Sequence, residues 1–338
     1  MRLTYLGTCG LLWLALGTPL AAQTKAPVVA AANQATDLNV NEWLMRTHEA
    51  SRRRAYMGTF VVSAGGGMSS ARIWHVCDGE QQMERIESLT GAPRSTFRLN
   101  DQVMTFLPEN QVVVKEKRES LGLFPNLLHS SDSTIGRFYS LKEIRHERVA
   151  GFEADVLLLM PKDLLRFGYR AWTEQKSGLL LKLETLDTEG RVLEQAAFSE
   201  LQLDAPVSMG NLKKLMNDTE GYRVEMPGMV KTSAVHEGWT VKTAVPGFKS
   251  MSCYKRKMAA GAESGSANTM QWIFSDGLAS VSLFIEVFDA RRHVQAGSAA
   301  MGATHTLTRR MGDWLLTVVG EVPPQTLAAF AQRLERIK

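Results

Sequence analysis

The stretch "QWIFSDGLASVSLFIEVFD", Gln271 to Asp289, decides how the last third of this chain folds. Two apolar runs joined at Ser275-Asp276-Gly277 read as a hairpin, because Asp-Gly between such runs is a strong turn signal. Successive side chains of a strand point to opposite faces. One alternating set of the second strand, Ala279, Val281, Leu283, Ile285 and Val287, is apolar throughout and requires a core. The other set, Ser280, Ser282, Phe284, Glu286 and Phe288, begins polar and ends with two large rings whose cover the strand itself does not supply.

Downstream, "HTLTRRMGDWLLTVVGEV" turns at Gly312-Asp313, and Trp314 to Val319 is the apolar run of a central strand. Pro323-Pro324 then opens "QTLAAFAQRLERIK", a terminal helix, since proline is favoured at a helix start. Leu327, Phe330, Leu334 and Ile337 recur at helical spacing, so this helix is expected to lay one stripe on Ala279 to Val287. Phe284 and Phe288 are then left on the far face, to be covered by a loop, by the first domain or by a bound partner. In the last case they are contact residues, with Arg291, Arg292, Arg309 and Arg310 as a basic rim that steers an acidic or amphipathic segment. Upstream, a strand near Trp239, a turn at Pro246-Gly247 and a strand at Ser250 to Lys255 complete a second domain over 222–338.

The first domain, 39–205, has a different rhythm. Asn39 or Asn41 caps a helix running to about Arg54, with Trp43, Leu44, Thr47 and Ser51 on one face. Short β-rich runs follow: "YMGTFVVS", "ARIWHV", "STFRL", "QVMTFL" and "QVVVKE", then "RHERVAGFEADVLLLMP", "YRAWTE", "LLLKLETL" and "VLEQAAFSELQL". Such a long antiparallel meander must curl to protect its edges. The segment Ser120 to Leu141 breaks the pattern: Leu121, Leu123, Phe124, Leu127 and Leu128 either plug the mouth as ordinary core or line the entrance for an apolar ligand. With Phe60, Trp74, Phe106 and Trp172 from the strands, they are the candidate lining of a lipid-accepting cavity. Ala205-Pro206 and the polar stretch 206–221, with a short helix around Asn211 to Asn217, read as the linker.

A chain of 338 residues with 44% hydrophobic composition is long enough for two cores. A net charge of +4 is too diffuse to point to nucleic acid. Residues 1–22 combine Arg2, the apolar run Leu11 to Leu16 and small residues before Gln23, the pattern of a cleaved secretory signal, and 23–38 read as a flexible leader. Cys77 and Cys253 fall in different domains and are expected not to be bridged. The seven histidines form no metal-binding pair, and there is no nucleophile elbow, phosphate loop or Cys-x-x-Cys. The reading is a protein without catalytic residues, metal or cofactor.

"WIFSDGLASVSLFIE" and "THTLTRRMGDWLLTVVGEVPPQTLAAFAQRLE", with the signal, the meander and the linker, resemble the MucB/RseB family of periplasmic regulators of the sigma-E envelope-stress response. Ser275-Asp276-Gly277-Leu278 and Gly320-Glu321-Val322-Pro323-Pro324 stand at that family's spacing. The resemblance implies a mainly β chain with some α: a large half-open antiparallel β-barrel similar to LolA-type lipoprotein carriers, plus a smaller α+β carboxy-terminal domain. It further implies binding the periplasmic part of a transmembrane anti-sigma factor, shielding it from regulated proteolysis, and release on sensing lipid or lipopolysaccharide. Self-association into a homodimer is compatible with it. The alternative from another class is a periplasmic lipid or lipoprotein carrier on the same barrel.

Overall fold

The computed structural model describes residues 39–117, 124, 134–226, 228–257, 269–293 and 296–337. The expected signal and leader, and Leu121, Leu123, Leu127 and Leu128, lie outside the described residues. The first helix, α1 (Val40–Arg53), is capped by the Asn39 side chain, which accepts from the Asn41 and Glu42 amides. Glu42 in its first turn and Arg52 and Arg53 in its last suit the helix dipole. It buries Val40, Leu44, Thr47, Ala50 and Ser51.

That face lies on a twelve-stranded sheet, ordered Arg223–Glu225, Val112–Lys117, Gln102–Leu107, Ser95–Leu99, Gln82–Ser88, Gly67–Cys77, Tyr56–Ala64, Val192–Leu203, Leu180–Leu186, Gly168–Glu174, Phe152–Pro161 and Tyr139–Val149. Two meanders meet where Tyr56–Ala64 pairs with Val192–Leu203. Pairing is antiparallel except for Arg223–Glu225, which runs parallel to Val112–Lys117. The outermost strands do not pair with each other, so the fold is mainly β and half open.

The strand Gln82–Ser88, "QMERIES", has no counterpart among the expected runs. Its polar residues disguise it because both faces are covered: Glu84 is buried against Arg98 (2.7 Å) on one, while Met83 joins the core on the other. The helix α2 (Met209–Asn217) covers that second face with Leu212 and Met216. The stretch read as a linker thus packs on the large sheet, and residues 223–225, assigned to the second domain, form its edge strand.

The second sheet is ordered Gly228–Lys231, Lys249–Lys257, Thr269–Ser275, Ser280–Val287, Trp314–Gly320, Thr304–Met311 and Gly297–Met301. The helix α3 (Pro324–Arg333) sets Leu327 and Phe330 against Val281, Leu283 and Ile285. Two details differ from the sequence expectation. Val287, the last residue of its strand and opposite the half-buried Trp314, is 53% exposed. The helix stops at Arg333, and Leu334–Arg336 pairs as a strand with Trp239–Val241, so Leu334 is buried from extended backbone and Ile337 is exposed. No proline or glycine marks the stop; the strand pairing supplies the hydrogen bonds that continued helix would have made. Cys77 and Cys253 are free thiols on strands of different sheets. Burial pushes the Cys253 thiol up to about 11.

Beneath the end of α1, His75 is fully buried, stacked on Tyr56 at 4.8 Å, with Nδ1 2.7 Å from the Arg54 carbonyl and Nε2 unpartnered. Burial lowers its pKa from 6.5, more than the nearby Glu84 raises it. Below 6.5 the unfolded chain therefore binds a proton that the folded chain refuses, and this contribution to stability is lost as pH falls through that window. Denaturant midpoints of the wild type should drop more steeply from pH 7.5 to 5 than those of His75→Gln, which keeps a donor for Arg54; equal slopes would show that His75 does not titrate differentially.

Candidate functional site

The two sheets meet at a joint that exchanges side chains in both directions. Leu278, from the Ser275–Ala279 turn of the second sheet, is buried in the first sheet's core beside Tyr139, Tyr169 and Val40. Leu165, from the loop after Phe152–Pro161, packs on the second core. Between them lies Arg166, which has no solvent exposure. Its Nε donates to Asp276 Oδ2 (2.7 Å), its Nη1 to Asp163, and its Nη2 to the Pro246 carbonyl (2.5 Å). The guanidinium also lies over the rings of Phe138 (4.3 Å) and Phe248 (5.0 Å). Asp276 is equally enclosed, and it spends Oδ1 on the amides of Leu278 (2.9 Å) and Ala279 (2.8 Å).

Tyr139 completes the group by donating to Asp276 Oδ2 at 3.2 Å. Burial, then Tyr169 and Asp276, push its phenol well above the usual range, so it remains a donor. Gly247 is required here: its φ is +82°, and a Cβ would lie 1.9 Å from Arg166 Nη2. Farther along, Thr326 Oγ1 donates to the Leu165 carbonyl (2.8 Å) and the Phe167 ring lies 5.6 Å from His305. Sequence reasoning used Asp276 only as a turn residue and missed Arg166. The available signal was an arginine inside the apolar run Leu164-Leu165-Arg166-Phe167.

The residues expected to line one cavity separate into two groups. Phe60 pairs with Ala71 and Trp74 with Met57, which puts Phe60 and Trp74 on opposite faces of the sheet. On the α1 side, Phe60, Phe124 and Phe198 form a ring cluster with centroids 5.0 to 6.3 Å apart. Trp172 belongs to the same core, and Phe124, half-buried, touches both this core and the one holding Leu278. On the α2 side, Trp74 and Phe106 join Phe97 and Met104. Phe97 and Phe106, with Tyr222, border a cleft of about 360 Å³ rimmed by Arg85, Arg94 and Glu220.

The opening question about the two phenylalanines has two answers. Phe288 is covered by its own domain: His293 lies 5.7 Å from it, and the Arg310 guanidinium sits over the ring at 4.0 Å. Phe284 is half-buried on the face opposite α3, which carries no helix among the described residues, between Gln271 and Thr317 on neighbouring strands. Ile273 and Val319 share that face, and Arg291 and Arg292 are exposed near its end. Arg309 pairs with Leu316 and so points to the α3 side, which removes it from the expected rim. Among the described residues Glu143, His146 and Asp155 also gather close enough for one ion, on the exposed edge strand and its neighbour.

Comparison with known proteins fits this architecture. The sequence profile of the MucB/RseB N-terminal domain matches residues 39–216, and that of the MucB/RseB C-terminal domain matches 233–335. The chain is 28% identical over 306 residues to the sigma factor AlgU regulatory protein MucB of Pseudomonas aeruginosa, covering 89% of this chain and 91% of that protein. It is 23% identical over 305 residues to the sigma-E factor regulatory protein RseB of Haemophilus influenzae, covering 89% and 92%. A crystal structure of MucB in complex with MucA(peri) is similar over 88% of this chain and 98% of that one, with a TM-score of 0.65 and 25% identity.

Removing one partner of a buried ion pair strands the other, which costs about 3–5 kcal/mol, whereas an apolar pair of like volume is close to neutral. Asp276→Ala should therefore destabilise the protein by that amount in urea unfolding, and Arg166→Met with Asp276→Leu by less than half of it. Equal losses would mean that the pair acts only through its volume.

Proposed function

We propose, from the premise that this chain belongs to the MucB/RseB family, that it is a periplasmic regulator of sigma-E-type signalling which binds the periplasmic part of a membrane-spanning anti-sigma factor and shields it from proteolysis. One observation carries this reading: MucB, similar over 88% of the chain, has been crystallised with MucA(peri) bound. The signal-like residues 1–22 support the compartment. The role is that of a binding protein, and no catalytic step is assigned to it.

The partner surface we assign is the helix-free face around Phe284, with Phe288, Arg291, Arg292 and Arg310 at its end. An aromatic ring among Ile273, Val319 and Thr317 suits an apolar anchor, and the exposed arginines suit an acidic flank. A second ligand, lipid or lipopolysaccharide, is assigned to the α1 side. There Phe124, half-buried between two cores, is the side chain an acyl group would displace or stack against.

Calorimetric titration with the periplasmic segment of the cognate anti-sigma factor should give saturable binding. Phe284→Ala should weaken it about tenfold or more, near 1.4 kcal/mol, while the melting temperature shifts by less than about 2 °C. Wild type that fails to bind contradicts the function; a variant that melts with unchanged affinity of its folded fraction moves the surface elsewhere.

A further inference from the structure

A regulator with two ligands needs an element whose arrangement both of them bias, and we propose that here it is Tyr139 with the Arg166–Asp276 pair, which an acyl ligand beside Phe124 loosens to weaken partner binding on the Phe284 face. This rests on the two-ligand reading above and deepens it.

The path is short and continuous. Phe124 packs on the core that contains both Tyr139 and Leu278. Leu278 is two residues from Asp276 in a turn whose geometry is fixed by that carboxylate: Oδ1 holds the Leu278 and Ala279 amides at 2.9 and 2.8 Å. Oδ2 holds Arg166 Nε at 2.7 Å and the Tyr139 hydroxyl at 3.2 Å. The turn runs directly into Ser280–Val287, the strand that carries Phe284. A ligand that shifts the Phe124 side of this core therefore acts on Leu278 and Tyr139, and through them on the start of the partner-binding strand.

The pair also has a second arrangement open to it. Breaking a buried ion pair is costly when it strands a charge. Arg166 would lose one of its three partners, yet it would keep Asp163 and the Pro246 carbonyl when Asp276 moves away, so it is stranded only in part. Asp276 would likewise keep its two amide donors. The buried joint thus keeps most of its hydrogen bonds when the Arg166–Asp276 contact opens, which lowers the cost of a second arrangement for a coupling element.

The test is linkage, measured on the full mature chain with laurate as the acyl probe. The affinity for the anti-sigma segment is titrated without and with saturating laurate, in wild type, Tyr139→Phe and Asp276→Asn. Laurate should weaken segment binding by the wild type about tenfold. In Tyr139→Phe, which keeps the ion pair and removes one hydroxyl, the effect should fall below threefold, while each ligand alone binds within threefold of wild type. Asp276→Asn should behave the same way if it folds. Full coupling retained in Tyr139→Phe overturns this inference and leaves the two-ligand reading standing; wild type whose segment affinity ignores laurate overturns both.

Discussion

A guanidinium and a carboxylate with no access to water, Arg166 and Asp276, hold the two sheets together. Charges this enclosed are tolerated when they are paired and hydrogen-bonded. Here each guanidinium nitrogen and each carboxylate oxygen has a partner, supplied within the pair and by Asp163, Pro246, Tyr139 and the amides of Leu278 and Ala279. That requirement propagates outward. It fixes Gly247, whose missing side chain leaves room for the arginine, and it sets Phe138 and Phe248 as its aromatic walls. It also lets Leu165 and Leu278 each sit in the core of the opposite sheet, so the sheets share apolar burial as well as charge.

The same joint explains how distinct surfaces can belong to one regulator. The large sheet is covered by α1 on one face and α2 on the other, and it stays open at its edges. Among the described residues, the second sheet carries a helix, α3, on one face, and Phe284 and its neighbours lie on the other. An antiparallel sheet can present one face to solvent, and a large ring there suits recognition better than packing. Because the turn holding Asp276 leads into the Phe284 strand, the joint stands between the two proposed ligands.

Local signals were legible in the sequence where local physics dominates. The Asp276-Gly277 turn, the Asn39 cap and the alternation of Val281, Leu283 and Ile285 each report a short-range preference that the fold keeps. Cross-sheet arrangements were not. "QMERIES" hides a central strand because Glu84 is buried by pairing with Arg98, a contact fourteen residues away. Phe60 and Trp74 look alike as strand aromatics, and only the register of Tyr56–Ala64 with Gly67–Cys77 separates them onto two faces. Arg309 and Arg310 look like one basic patch, yet strand alternation sends one to the α3 side and the other over Phe288. Leu334 fits a helical stripe and is buried, but from a strand. In each case the missing information is a partner distant in sequence.

Scanning calorimetry of the protein tests the claim that the buried pair makes the two sheets one cooperative body. The account predicts a single transition for the wild type, with calorimetric and van't Hoff enthalpies equal, and two resolved transitions once Asp276 is replaced by alanine. Two independent transitions in the wild type, or one undivided transition in the variant, would contradict it.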